Sequence, residues 1–257
     1  MSKVIPLKID SVRSRVSPDE WAVRVDLAAT YRLLAHFGWD DLIYTHSSAR
    51  VPGEGHHFLI NPYGLMFQNV TASSLVKIDM DGKLTMDTPY DYNPAGFTAH
   101  SAVHMGRSDV VCVIHTHTVA GMAVSAQVDG LLPILQKGLR FYNRLAYHDY
   151  EGIFLDLDER ERLARDLGAK NAMILRNHGL LTCGRTFGEA FTNMHGLERA
   201  CQAQIAAQSS GAKLIRVSPE VAERAARQNA EEDDGTYARE WQGLLHMLDS
   251  VDPTYKN

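Results

Sequence analysis

Cysteine is scarce: Cys112, Cys183 and Cys201 are the only three in 257 residues. Odd in number and far apart, they fit reduced thiols better than a disulfide framework or a zinc ribbon, so a cytoplasmic location is expected. Basic charge is scarce too. The 26 Lys and Arg residues face 31 Asp and Glu, a formal net charge of −5. Gripping nucleic acid through its phosphates needs a basic excess, so no nucleic-acid partner is expected. No apolar run approaches the ~18–20 residues of a membrane span. Lys3, Pro6, Lys8 and Asp10 break the opening segment, unlike a secretory signal peptide. Repeats, low-complexity tracts and linkers are absent. One domain over 1–257 is expected, with an irregular arm at 1–16 and a helical extension at 211–257. That length buries a sizeable core without a staple.

What is present alternates between strand and helix signals. Ser17-Pro18-Asp19-Glu20 reads as a helix start, with Ser17 as cap, Pro18 in the first turn and Glu20 completing a capping box. This helix runs through Trp21, Val25, Ala28 and Leu33 to a stop at Gly38. Strand and turn signals fill 42–84. Phe58-Leu59-Ile60 meets the turn Asn61-Pro62-Tyr63-Gly64, and Val76–Asp79 leads into the hairpin pair Asp81-Gly82. Glu54-Gly55-His56-His57 reads as a solvated hairpin tip. Helices are expected over 94–107, 119–127 and 158–167, from Thr186 (with Glu189, a second capping box) to about Ser209, and once or twice over 219–248. Within the last stretch, Glu231-Glu232-Asp233-Asp234 reads as a solvated acidic loop. Residues 110–114 and Ala172–Leu175 are continuous apolar runs, the pattern of strands buried on both faces. Residues 180–183 pair with the second run across a turn at 177–179, where Gly179 is expected to take a positive φ. The alternation predicts a layered α/β architecture.

Twelve histidines are the conspicuous excess. His115-Thr116-His117 directly follows the first apolar run. Continued strand geometry turns residues i and i+2 to one face, so both imidazoles project together with Thr116 turned away. Arg176-Asn177-His178-Gly179 directly follows the second run. Either motif alone is more often a pair of polar loop residues or a turn histidine. If the two strands neighbour one another in one sheet, three imidazoles converge, and three protein ligands with an open position is the pattern of a catalytic metal site. His100 and His104 stand at i, i+4 on a predicted helix. No glutamate follows His100 as in a metalloprotease helix, and both are read as helix-packing or interface residues.

Asn93-Pro94-Ala95-Gly96-Phe97-Thr98-Ala99-His100, Arg107-Ser108-Asp109-Val110, His115-Thr116-His117 and Arg176-Asn177-His178-Gly179-Leu180-Leu181, in this order, resemble the class II aldolase/adducin family from about Trp21 to Ser210. Leu131-Leu132-Pro133-Ile134 and Tyr147-His148-Asp149-Tyr150-Glu151-Gly152 are similar to its adducin-like branch. The resemblance implies an α/β fold in three layers, α/β/α, around a central, largely antiparallel sheet. It implies one divalent metal ion per subunit at His115, His117 and His178, zinc ahead of iron(II) or manganese. It also implies a homo-oligomer, a cyclic tetramer with sites between subunits.

Departures from the family pattern narrow the chemistry. In the sugar-phosphate aldolases a glutamate near the metal is the general acid/base. The resemblance puts Gly96 at its position, and glycine moves no proton. The two phosphate-binding serines correspond to Pro94 and Ala95, the Gly-Asn of the upstream loop to Thr45-His46, and a phosphate-loop threonine to Tyr63. Cleavage of a phosphorylated sugar is therefore not expected. The expected activity is a divalent-metal-dependent lyase, of aldolase or decarboxylase type, on a small unphosphorylated hydroxy- or oxo-carboxylate. An iron(II)-dependent oxidative decarboxylase of a 2-oxo acid is the first alternative, and a non-catalytic adducin-like scaffold the second. His46, Tyr63, His148 and Tyr150 are the candidate proton donors. Arg50, Asn61 and Gly96 are the candidates for substrate contact: the planar guanidinium fork of Arg50 suits a carboxylate, and the bare position 96 leaves room beside the metal.

Overall fold

The computed structural model describes residues 10–53, 55–231 and 234–257. Residues 1–9 of the arm, Glu54 of the hairpin tip, and Glu232 and Asp233 of the acidic run lie outside the described residues. In chain order the elements are α1 (Asp10–Arg13), α2 (Pro18–His36), β1 (His46–Arg50), β2 (His57–Ile60), a 3-10 turn (Phe67–Asn69), β3 (Val76–Asp79), α3 (Pro94–Gly106), β4 (Cys112–Thr116), α4 (Val119–Ser125), α5 (Gln136–Leu139), β5 (Leu145–His148), α6 (Glu159–Leu167), β6 (Ala172–Leu175), β7 (Gly179–Gly184), α7 (Phe187–Ser209), α8 (Pro219–Glu231), α9 (Asp234–Val251) and a closing 3-10 turn (Pro253–Lys256).

Local chemistry sets most boundaries. Ser17 accepts from the Glu20 backbone N–H at 3.1 Å and caps α2. The Glu20 carboxylate does not return to the cap as a capping box requires. It is buried between Arg24 and Lys77, each 2.9 Å away, because two cations outcompete one backbone N–H. At α7, Thr186 accepts from Glu189 N at 3.1 Å, and the Glu189 carboxylate accepts from Arg185 N at 2.7 Å. Asp81-Gly82 forms the expected tight turn, with Gly82 at φ +82 and Asp79 N donating to Lys83 O at 3.0 Å.

Seven strands form one sheet in the order β3-β2-β1-β4-β7-β6-β5. Every neighbouring pair is antiparallel except β5 with β6. The two apolar strands that carry the histidine motifs, β4 and β6, are not direct neighbours, because β7 lies between them. Alternation along the strands fills both faces of the sheet with apolar side chains. Cys112, Ile114, Ile174 and Leu180 pack with Leu27 and Leu33 of α2, Phe191 and Met194 of α7, and Trp241 of α9. Val113, Met173 and Leu181 face the other way, onto Ala99 and Val103 of α3 and Leu163 and Leu167 of α6. The result is a three-layer α/β/α architecture with a mostly antiparallel sheet in the middle. No helix among the described residues is long and apolar enough to cross a membrane.

Candidate metal centre

The strand pairings bring the C-terminal ends of β2, β4, β5 and β6 and the N-terminal ends of β1 and β7 to one edge of the sheet. His115 continues the Val113 side of β4, toward α3, while Thr116 turns to the opposite face and meets Met194 Sδ at 3.4 Å. His117, one residue beyond the strand, keeps the His115 side. His178 reaches them through the tight turn from β6 into β7, because β7 pairs with β4 and sets Leu180 opposite Thr116. The left-handed residue of that turn is Asn177 (φ +55), not Gly179. Glycine is needed at 179 for a different reason: a Cβ there would collide with the Thr116 carbonyl oxygen of β4.

The three Nε2 atoms face one another. His117 Nε2 lies 2.9 Å from His115 Nε2 and 2.9 Å from His178 Nε2. The opposite ring edges explain why. His115 Nδ1 donates to the Leu180 carbonyl at 2.9 Å. His117 Nδ1 donates to Asp41 Oδ2 at 3.0 Å. With their protons committed to Nδ1, both rings turn bare Nε2 lone pairs toward each other, an arrangement that a shared cation relieves. Ligand nitrogens ~2.0–2.1 Å from one zinc ion stand roughly 3 Å apart, so the donor set fits a divalent ion. Burial, reinforced by His117, pushes the His178 imidazole down to about 4, and burial followed by His178 and His117 holds His115 well below the ordinary range. Neutral rings are the ligating form.

The remaining sequence candidates are distributed around this edge and beyond it. His46, at the start of β1, pairs across the ladder with His115, and their rings are 5.1 Å apart. Gly96 lies against it: a Cβ at 96 would stand 2.6 Å from His46 Cδ2. Tyr150 is exposed, its ring 6.4 Å from that of His178. Tyr63 is exposed on the turn after β2. Asn61 is buried, its Oδ1 accepting from Tyr31 OH at 2.9 Å. His148 has both ring nitrogens engaged, Nδ1 with Asp166 at 2.8 Å and Nε2 with Glu159 at 3.2 Å. Phe154 stands between His148 and His178, 6.2 Å from the first ring and 5.5 Å from the second. Arg50, at the far end of β1, spends its guanidinium on the backbone carbonyls of Val110, His104 and Arg107 at 3.1, 2.5 and 3.0 Å. Sequence reasoning missed Asp41, which orients His117. No motif surrounds it, and only the packing of the segment before β1 reveals its role.

The family model for the class II aldolase and adducin N-terminal domain matches residues 25–205. This chain belongs to the class II aldolase/adducin family. A Pseudomonas aeruginosa protein named for class 2 aldolases is 52% identical over 262 residues that span all of both chains. The crystal structure of an aldolase II superfamily protein from Pseudomonas syringae shares 52% identity, with a TM-score of 0.92 over 96% of this chain and 100% of that one. An L-fuculose 1-phosphate aldolase from Glaciozyma antarctica shares 27% identity, with a TM-score of 0.80 over 98% of this chain and 97% of that one. The tri-histidine cluster therefore sits in a class II aldolase fold and is consistent with metal-dependent lyase chemistry.

Proposed function

We propose that this protein is a divalent-metal-dependent lyase that cleaves a carbon–carbon bond, by aldol cleavage or decarboxylation, in a small unphosphorylated hydroxy- or oxo-carboxylate. The observation that carries the reading is the trio of His115, His117 and His178, with two Nδ1 protons committed to Leu180 and Asp41 and the Nε2 atoms converging. We assign the three histidines as ligands of one ion per subunit, zinc ahead of iron(II) or manganese. The bound ion supplies Lewis-acid stabilisation of the negative charge that develops on a substrate oxygen as the bond breaks. The chain's own residues shape what enters. The bare position 96 lacks the carboxyl acid/base, and Pro94 and Ala95 lack the hydroxyl donors that a phosphate requires. The product carbanion needs a proton, and exposed Tyr150 Oη beside His178 is the donor we favour over His148, whose nitrogens are both occupied. Val119 two residues after His117, Tyr150 beside His178, and Ile153 and Leu155 on the same segment as Tyr150 are exposed, and we place the subunit contacts of a homotetramer there.

Metal analysis of the wild-type protein beside His115→Ala tests the centre: about one ion per chain is expected in the first and none in the second. Metal-free wild-type protein, with no change in metal content or activity in His115→Ala, would sink the proposal and leave an inert scaffold. Protein purified anaerobically and assayed for oxygen uptake with 2-oxo acids separates the lyase from an iron(II) oxidative decarboxylase. Brisk zinc-dependent cleavage of fuculose 1-phosphate would overturn the assignment to unphosphorylated substrates.

A further inference from the structure

Behind the metal centre runs a buried chain of hydrogen bonds. The period-2 alternation of β1 turns His46, Ser48 and Arg50 toward α3, and the i, i+4 spacing of His100 and His104 turns both imidazoles of α3 toward β1. His46 Nδ1 meets His100 Nε2 at 2.9 Å, His100 Nδ1 meets Ser48 Oγ at 2.6 Å, and Ser48 Oγ meets His104 Nε2 at 2.8 Å. His100, Ser48 and His104 are almost completely buried, and His46 keeps only 5% exposure. Burial pushes His100 and His104 down to about 3, with the Arg50 cation adding to the effect at His104. The rings are therefore neutral, and each carries a single N–H.

One donor must fill each gap, and Ser48 Oγ, whose hydrogen-bond partners among the described residues are the two rings, must send its own proton to one of them, so three neutral imidazoles and one hydroxyl in series allow two proton arrangements. Either every ring holds its proton on Nε2 and the bonds point from His104 toward His46, or every ring holds it on Nδ1 and they point the other way. The far end decides between them. His104 Nδ1 is buried and has no hydrogen-bond partner. A buried N–H without an acceptor is rarer and more costly than a bare lone pair. The first arrangement leaves that nitrogen bare, so it is the one the packing selects. In it, His46 carries Nε2–H on the ring edge away from His100. That edge lies against Gly96, with Nε2 3.0 Å from where a Cβ would stand. The neighbouring ring on β4 is His115, 5.1 Å away.

We propose that His46 is a fixed, neutral hydrogen-bond donor of the metal centre, held by the His104–Ser48–His100 chain in the tautomer that turns Nε2–H toward a carboxylate or enolate oxygen of the ligand, with Gly96 left bare so that the ring can stand there. This rests on the metal-centre reading given above. A neutral imidazole N–H stabilises developing negative charge without transferring its proton, so the donor needs no recharging between turnovers. His100, Ser48 and His104 are positioning residues: they never meet the ligand, and they fix which nitrogen of His46 is protonated.

Long-range proton–nitrogen correlation spectra of metal-free protein labelled with 15N-histidine test this without any substrate. His46, His100 and His104 are expected to share one pattern, protonated Nε2 and bare Nδ1, opposite to His115. A proton on His46 Nδ1 would overturn the proposal. In Ser48→Ala, His46 is expected to become a mixture of tautomers. Oxalate, a two-oxygen chelating probe, should then bind the zinc-loaded variant about tenfold more weakly, the loss of one hydrogen bond to a charged oxygen, while zinc affinity itself stays within about twofold. His46→Phe, which keeps a ring above Gly96 but no donor, should weaken oxalate by a similar factor. Unchanged oxalate binding in both variants would sink the inference. Failure of the wild-type protein to take up zinc would instead sink the metal reading, and the tautomer spectrum would still decide this one.

Discussion

Gly96→Ala inserts one methyl group into the ring of His46. The new Cβ would stand 2.6 Å from Cδ2 and 2.9 Å from Cγ, about 1 Å inside ordinary carbon–carbon contact. The ring cannot swing aside cheaply, because it is nearly buried and its Nδ1 is tied to His100 at 2.9 Å. Overpacking of this kind costs about 1–3 kcal/mol. Alanine in place of glycine returns at most about 1 kcal/mol of helix propensity, and less than that in the first turn of α3. The net expectation is a loss of about 1–2 kcal/mol, or roughly 2–8 °C in a chain of this size. In a His46→Ala background the same substitution meets open space. Only the helix term remains, and the sign reverses to a gain of up to about 1 kcal/mol. The coupling across the cycle is therefore about 1–3 kcal/mol. Urea unfolding with EDTA present, so that metal linkage does not enter, measures all four corners. A Gly96→Ala variant as stable as the wild type, or one that costs the same with and without His46, would refute the claim that this ring is what requires glycine at 96. The same obstacle faces Gly96→Glu, so restoring the family's carboxylate alone should not restore sugar-phosphate cleavage.

Asp41→Ala removes the acceptor that commits the His117 proton to Nδ1, and zinc affinity, read by competition with a chromogenic chelator, should fall about 10–100-fold with little change in fold. Gly179→Ala should push β7 off β4 at Thr116, costing about 1–3 kcal/mol and abolishing metal uptake by carrying His178 away; retained stoichiometric zinc would count against the close-approach argument. Burial raises the Asp26 carboxyl to about 6, above its unfolded value. The folded state therefore prefers the protonated form, and stability drains away as pH rises from about 4 through 6. Asp26→Asn should raise the urea midpoint at pH 8 and not at pH 4, and an equal gain at both would contradict burial as the cause. Zinc at 100 times its Kd should stabilise the wild type by about 2.7 kcal/mol and leave His115→Ala unmoved.

Reading along the chain was enough wherever the cause is local. Ser17 and Thr186 cap their helices, Asp81-Gly82 turns its hairpin, and the apolar runs before His115 and before Arg176 are buried strands, because caps, turns and strand periods depend on residues a few positions apart. The local reading fell short where a side chain had two suitors, as at Glu20, which leaves its capping box for Arg24 and Lys77. It also misjudged Gly179, whose constraint comes from the opposing strand and not from its own φ. His115 and His117 share a face by strand geometry alone, but their meeting with His178 depends on β7 being threaded between β4 and β6, a matter of sheet order that no spacing encodes. Asp41 behind His117, and the line from His46 through His100 and Ser48 to His104, exist only because separate segments pack at one sheet edge and along one helix face. Periodicity says which way a side chain points along its own element. What stands opposite it is set by packing between elements far apart in the chain, and in this protein the centre's second contacts all lie there.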